Sequence, residues 1–292
     1  MNTISSTDWS WSPRDRWTFE EGPRVMGILN ITPDSFSDGG RWIATDAAVQ
    51  HAFQMVADGA DLIDLGGEST RPGSLPVEPS EQLRRVLPVI KRLAGTLSIP
   101  MSIDTSSGLV AREALAAGVH IVNDVTGLTG DPKMAAVCAE SQCGVIVMHM
   151  QGNPQTMQLA PRYDNAVQEV TGYLKSRVEQ LVALGIAAGR IVLDPGIGFG
   201  KTAVHNRELL SNVAALRSAG RPVLIGHSRK RFLQQVLGRP VEEATAGTIG
   251  VAIAVVEQGA ELIRVHDVQA VKDAITAWQA VRPRSTRMPP GS

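Results

Sequence analysis

Three residues spread along the chain, Asp104, Asn123 and Asp194, each close a short apolar run, in Met101-Ser-Ile-Asp104, Ile121-Val-Asn123 and Ile191-Val-Leu-Asp194. Two carboxylates and an amide converging on one basin offer donors and acceptors that suit a flat heterocycle with ring N–H, amino and carbonyl edges. Met148 and Phe199 are candidates for the apolar face such a ring needs. A second group is basic: Ser228-Arg-Lys230 and Arg264-Val-His266 follow two further runs. Lys, Arg and helix N-termini are the groups that hold anions. Each residue has a plainer reading, since a lone strand-end Asp usually caps the next helix. Convergence is what favours a site.

Convergence needs elements that bring distant residues together. Val25-Met-Gly-Ile-Leu-Asn30, Leu62-Ile-Asp64, Val145-Ile-Val-Met-His149, Val223-Leu-Ile-Gly226 and Leu262-Ile-Arg264 repeat the pattern, each followed by a turn and a helical stretch. Short Val/Ile/Leu runs alternating with helices read as buried parallel strands. Eight such units predict an α/β fold, a single (β/α)8 TIM barrel, whose site lies where strands meet the following loops. Helices are expected near 44–58, 80–94, 107–117, 132–141, 164–185, 204–218, as a pair within 229–258, and at 268–281. Gly59 to Asp64, Gly118 to Asn123 and Gly259 to Arg264 echo one another: a helix-ending Gly, two buried strand residues, then an outward polar group.

The 292 residues fit one barrel of ~250 residues with extensions. The expected division is a 1–21 extension with a short strand, a 22–282 barrel and a 283–292 tail. The first dozen residues read as frayed. Arg16-Trp-Thr-Phe19 reads as a short β segment across the barrel floor. With 28 basic and 29 acidic residues, the chain is no general nucleic-acid binder. Two cysteines without a Cys-x-x-Cys motif suit the reducing cytoplasm, and no apolar run is long enough for a membrane span. Thr248 to Val256 is apolar on nearly all sides, which fits either a helix covered by another subunit or an ordinary buried one.

Two long loops sit at the expected catalytic end. Asn30-Ile-Thr-Pro-Asp-Ser-Phe-Ser-Asp-Gly-Gly40 is polar but carries Phe36, and Gly66-Gly-Glu-Ser-Thr-Arg-Pro-Gly73 lets backbone approach a ligand closely. Asp194-Pro-Gly-Ile-Gly-Phe-Gly-Lys-Thr202 looks like a phosphate loop, but Pro195 stands where a glycine is needed and Lys201 where the dinucleotide pattern ends in glycine. It reads as a tight turn. His149, His227 and His266 with Asp194 do not make a hydrolase metal site, because the His-x-His that opens such sites is here Asn30-Ile-Thr32. His51, His120 and His205 read as structural or solvent-facing.

Met26-Gly-Ile-Leu-Asn-Ile-Thr-Pro-Asp-Ser-Phe-Ser-Asp-Gly-Gly40 with Gly66-Gly-Glu-Ser-Thr-Arg-Pro-Gly73 resembles the paired signatures of the dihydropteroate synthases. Ser102-Ile-Asp-Thr105, Asn123-Asp124, Met148-His149, Asp194 to Lys201, Ser228-Arg-Lys230 and Arg264-Val-His-Asp267 continue the resemblance over roughly 24–281. It implies a cytoplasmic, homodimeric barrel enzyme that transfers an alkyl group other than methyl. Such an enzyme joins 4-aminobenzoate to 7,8-dihydropterin-6-ylmethyl diphosphate and releases diphosphate, in folate synthesis. By the same resemblance Asp104, Asn123, Asp194 and Lys230 hold the pterin, in a pocket shaped by Met148, Phe199 and Gly226. Asn30, Arg264 and His266 bind the diphosphate, with Mg2+ on Asn30. Phe36, Asp38, Thr70, Arg71, Pro72 and Ser228 frame the aminobenzoate and its closing loops. Asp104, Asp194, Lys230, Arg264 and His266 are the implied catalytic set. One departure is Ser106-Ser107-Gly108, where many relatives carry Lys. Two alternatives remain at this point: the pterin-binding barrel of a folate/corrinoid methyltransferase, and a non-catalytic pterin-binding paralogue.

Overall fold

A parallel strand buried on both faces sends alternate side chains to opposite sides, and that alternation builds this molecule. The computed structural model describes residues 8–32, 41–69, 73–240 and 243–282. A hairpin comes first, from β1 (Trp9–Ser10) and β2 (Arg16–Trp17). The barrel follows as β3 (Arg24–Asn30), β4 (Leu62–Gly66), β5 (Met101–Asp104), β6 (Ile121–Asp124), β7 (Gly144–Met148), β8 (Ile191–Asp194), β9 (Leu224–Ile225) and β10 (Leu262–Val265). These strands are hydrogen-bonded in the order β8-β7-β6-β5-β4-β3-β10-β9. A parallel bridge between Leu193 and Val223 joins the two ends and closes the sheet. The expected (β/α)8 barrel is the fold.

Inside the barrel the residues form layers. Met26, Leu62, Ile121, Ile146, Val192, Leu224 and Leu262 make one apolar layer with Trp9 and Trp11, separate from the larger core between strands and helices. Two residues further along six of those strands stand Asp64, Asn123, Met148, Asp194, Gly226 and Arg264. Lower apolar filling and upper chemistry therefore come from the same strands, one pleat period apart.

The floor plug is longer than the sequence implies. Residues 8–12 are not frayed: Trp9 is fully buried, and its indole N–H donates to the Arg190 carbonyl at 2.9 Å. Its ring lies 5.7 Å from those of Trp11 and Trp17. Hairpin pairing of Trp9 with Trp17 puts these aromatics on one face, which closes over the apolar layer. A reading based on polar neighbours misses this, because each tryptophan is isolated in a polar stretch.

The helices are α1 (Arg41–Ala57), α2 (Pro79–Leu93), α3 (Gly108–Ala116), α4 (Met134–Ser141), α5 (Ala166–Ala183), α6 (Ala203–Leu210), α7 (Val213–Arg217), α8 (Arg231–Leu237), α9 (Thr245–Glu257) and α10 (Val268–Val281). Side-chain caps start several, as Ser107 accepts from Val110 N and Asn165 from Gln168 N. The single helix expected at 204–218 is two, α6 and α7, broken at Ser211–Asn212, where the Asn212 side chain donates to the Glu208 carbonyl at 2.8 Å. In α9, Thr248, Ala252, Val255 and Val256 are buried while Ala246, Gly250 and Ala254 are exposed.

Candidate active site

The strand register sets the geometry. Asn30 pairs with Gly66, Gly66 with Asp104, and Asp104 with Asn123, so four consecutive strands end level. Met148 pairs with Asp194 on the other side of the barrel. One cleft of about 320 Å³, its mouth included, is lined by Asp104, Asn123, Met148, Asp194, Phe199, Gly226, Lys230 and Arg264. All eight were singled out in the sequence. Val125, Gly196 and Ile197 complete the lining and were not. Met148, Phe199 and Val125 pack with Met157 in a small apolar cluster of their own, which gives the cleft a non-polar wall.

The polar wall is built on charge. Arg264 Nε donates to Asp64 Oδ2 at 2.6 Å, and Nη2 donates to Asp104 Oδ2 at 2.8 Å. Asp64 is fully buried and also accepts from Ser102 Oγ and Asn123 Nδ2, at 2.6 and 3.1 Å. Asp104 Oδ1 is buried with no hydrogen-bond partner among the described residues, an acceptor facing a cleft lined by polar groups. Burial pushes the Asp104 carboxyl up to about 7; Arg264 and Lys230 pull it down, while Asp64 and Asp124 push it further up. Asp194 is also raised by burial, although its Oδ1 accepts from Gly196 N at 2.7 Å. Burial opposes the charge on Arg264, but Asp64 and Asp104 outweigh it and raise its pKa.

The tripeptide after β9 fans out. Ser228 Oγ lies 3.1 Å from His266 Nδ1 and accepts from His266 N. Arg229, with φ +53, turns away to pair with Asp267 at 2.7 Å and is no part of the cleft. Lys230 enters it, its Nζ 4.3 Å from the centre of the Phe199 ring. Ser228, His266 and Asn30 flank the cleft from neighbouring strand ends without lining it. Phe36, Asp38, Thr70, Arg71 and Pro72 lie outside the described residues. The part of the second loop that is described is tethered by Glu68, which accepts from Val77 N and Gln82 Nε2, both at 2.9 Å.

The polar groups of the echoed units, Asp64, Asn123 and Arg264, point into the lumen, where they bond one another. Two sequence readings change. His149 and His227 are not the lumen residues of their strands, because the pleat gives that side to Met148 and Gly226. His227 is instead buried with Nε2 2.8 Å from the Thr248 carbonyl. Lys201, noted only as a residue that breaks nucleotide patterns, is a buried tether. Its Nζ donates to the carbonyls of Phe199 and His149, at 2.9 and 3.2 Å, and lies 3.0 Å from His149 Nδ1. Burial lowers Lys201 to about 7 and His149 to about 3. The turn it pins is tight: Gly196 has φ +68, and a Cβ there would strike the His149 carbonyl oxygen. Ser106 bonds Asp124 and Ser107 caps α3. His205 completes a capping box with Thr202, and His120 Nδ1 accepts from Met101 N at 3.3 Å, both structural as expected.

The match to the pterin-binding enzyme family spans residues 26–266, which holds every element of this cleft. The chain belongs to that family, among its dihydropteroate synthases. The dihydropteroate synthase of Escherichia coli is 44% identical over 258 residues, 88% of this chain and 91% of that one. The structure of the Xanthomonas albilineans dihydropteroate synthase with 4-aminobenzoic acid superposes with a TM-score of 0.88 at 43% identity, covering 96% of this chain and 100% of the other. That of the Yersinia pestis enzyme in a sulfonamide drug complex gives 0.87 at 41%, covering 93% and 98%. The family, the barrel and the transferase class are as the sequence implied.

Proposed function

We propose that the cleft binds a dihydropterin methyl diphosphate ring-inward, then 4-aminobenzoate above it, and makes 7,8-dihydropteroate, the reaction of the dihydropteroate synthases. One observation carries this reading: Asp104, Asn123 and Asp194, from three strands, and Lys230, at the start of α8, meet an apolar wall of Met148 and Phe199 in one cleft. Acceptors on one side and an aromatic-lined face on the other match a flat, amino-bearing ring.

The chemistry follows from the charges. When the C–O bond between the ring methylene and the diphosphate breaks, positive charge develops on the pterin. Asp104 and Asp194, fixed in a buried site, stabilise that charge without reorganising. Lys230, Arg264 and His266 offset the charge of the departing anion. The amine of 4-aminobenzoate attacks the methylene, and its surplus proton leaves to solvent. No side chain forms a covalent intermediate.

Asn30 would hold a Mg2+ beside the diphosphate. It offers one hard oxygen at the end of β3, and the described residues hold no cluster of three acidic, His or Cys side chains that would form a full cage. Mg2+ characteristically takes few protein ligands and completes its shell with phosphate oxygens and water. Bound there, it would neutralise charge on the leaving diphosphate.

Phe36, Asp38, Thr70, Arg71 and Pro72 close over the second substrate, with Ser228 and its neighbouring backbone N–H receiving the carboxylate. Closure excludes water that would otherwise capture the methylene. Binding is therefore ordered, and Phe36→Ala raises the aminobenzoate KM far more than the pterin KM; tight binding of aminobenzoate to the protein alone would contradict the order. Sulfonamides, as mimics of the second substrate, compete at the same place. A second copy of the chain covers the outer side of α9, where Ile249, Val251 and Ile253 are only half-buried and the neighbouring Val236 of α8 is exposed. Two buried free thiols, Cys138 and Cys143, suit the reducing cytoplasm, and no helix among the described residues is long and apolar enough to cross a membrane. The deciding experiment mixes the protein with both substrates and Mg2+ and follows diphosphate release. Release that needs all three supports the reading, and none overturns it.

A further inference from the structure

The cleft rests on a carboxylate that does not line it. Asp64 sits one pleat period below the strand end at Gly66, fully buried, and three donors from three other strands converge on it. Ser102 Oγ reaches Oδ1 at 2.6 Å, while Asn123 Nδ2 and Arg264 Nε reach Oδ2 at 3.1 and 2.6 Å. We infer that Asp64 is a positioning residue that sets the hydrogen-bonding polarity of the ring pocket, turning the Asn123 carbonyl oxygen to the cleft and holding Arg264 beside Asp104. The inference rests on the pterin-binding reading and says how that pocket chooses its ring.

An ionised carboxylate can only accept. Asn123 must therefore give its amide nitrogen to Asp64, and its carbonyl oxygen is the end left for a ligand. Arg264 is shared between Asp64 and Asp104 and reaches only one Asp104 oxygen, Oδ2. The other, Oδ1, has no partner among the described residues. Together with Asp194, the cleft then presents a row of acceptors, and it favours a ring that offers N–H and amino donors over one that offers carbonyls. Removing the charge at Asp64 would free the Asn123 amide to turn and let Arg264 swing wholly onto Asp104, quenching two acceptors at once. Ser102, the register partner of Asp64 on β5, holds the carboxylate in its rotamer.

The test is calorimetric binding of 6-hydroxymethylpterin, and of its analogue with oxo in place of the 2-amino group, to the full chain. In Asp64→Asn the pterin affinity should fall roughly tenfold or more, the scale of one charge-assisted hydrogen bond. Preference over the oxo analogue should shrink, and the aminobenzoate KM should stay unchanged. In an Asn123→Ala background the same substitution should cost less, because part of its effect runs through Asn123. Ser102→Ala, a smaller change within the fold, should weaken pterin binding in the same direction by a few-fold, and it decides the matter if Asp64→Asn does not fold. Wild-type affinity and wild-type ring preference in these variants, even with a lowered melting temperature, would reduce Asp64 to scaffolding. A wild-type protein that binds pterin but releases no diphosphate would count against the reaction and leave Asp64 standing.

Discussion

The lower and upper layers of the barrel lumen are made by the same strands, two residues apart, and they do opposite things. Below, Leu62, Ile121, Val192, Leu224 and Leu262 close on the Trp9 and Trp11 plug, a buried apolar layer. Above, Asp64, Asn123, Asp194, Gly226 and Arg264 take the next inward positions. The lower layer stabilises by burial, at about 25 cal/mol per Å² of apolar surface. At the top of the lumen Asp104 and Asp194 are carboxylates whose ionisation burial opposes. Stability and chemistry are thus separated along six of the strands by a single pleat repeat, which lets one be altered without the other.

The sharpest way to break that division is to cut the floor. Trp9→Ala removes a fully buried indole and its hydrogen bond to the Arg190 carbonyl, and should cost ~3–5 kcal/mol of stability. Thermal unfolding should show the loss, while the pterin KM stays near wild type. A changed pterin KM with unchanged melting would reverse the roles of the two layers.

The complementary cut is above. Asp104→Ala or Asp194→Ala should weaken pterin binding by ~1.5–3 kcal/mol, with more lost from kcat if the carboxylate meets transition-state charge. The melting temperature should hold or rise, since each change removes a buried charge. Unaltered affinity for a pterin analogue in both variants would remove them from the site.

A smaller, pH-dependent effect sharpens the same contrast. Burial pushes the native Asp104 carboxyl up to about 7, above the ordinary carboxylate value of ~4. Between those values the folded state holds more protons than the unfolded one, so this group makes stability fall as pH rises. Pterin binding should move the other way, strengthening as Asp104 ionises toward pH 7. Asp104→Asn should flatten both trends. Parallel pH dependence of melting and binding would show that the group acts otherwise.

Much of this was legible in the sequence, because barrel strands are short and buried on both faces. Eight apolar runs, seven of them ending on a polar residue, gave the count of strands, and the cleft residues fell where those ends meet. The Trp9 end of the plug was not legible, because tryptophans isolated in polar sequence gain partners only when the hairpin pairs them. Nor was the break between α6 and α7. Asp64 was visible only as a polar residue closing an apolar run; the closed barrel shows that it is fully buried and that Arg264, 200 residues later, is its partner.

The sequence by itself determined the strand periodicity, the chemistry carried at each strand end and the family, because these depend on residue type and near-neighbour order. The tertiary structure alone decided which side of each strand faces the lumen and which charges meet there. Sheet closure and strand register put Met148 in the cleft and His149 behind it, left one Asp104 oxygen open, and buried Lys201 as a tether. Those outcomes depend on distances between residues far apart in the chain, which local order does not encode.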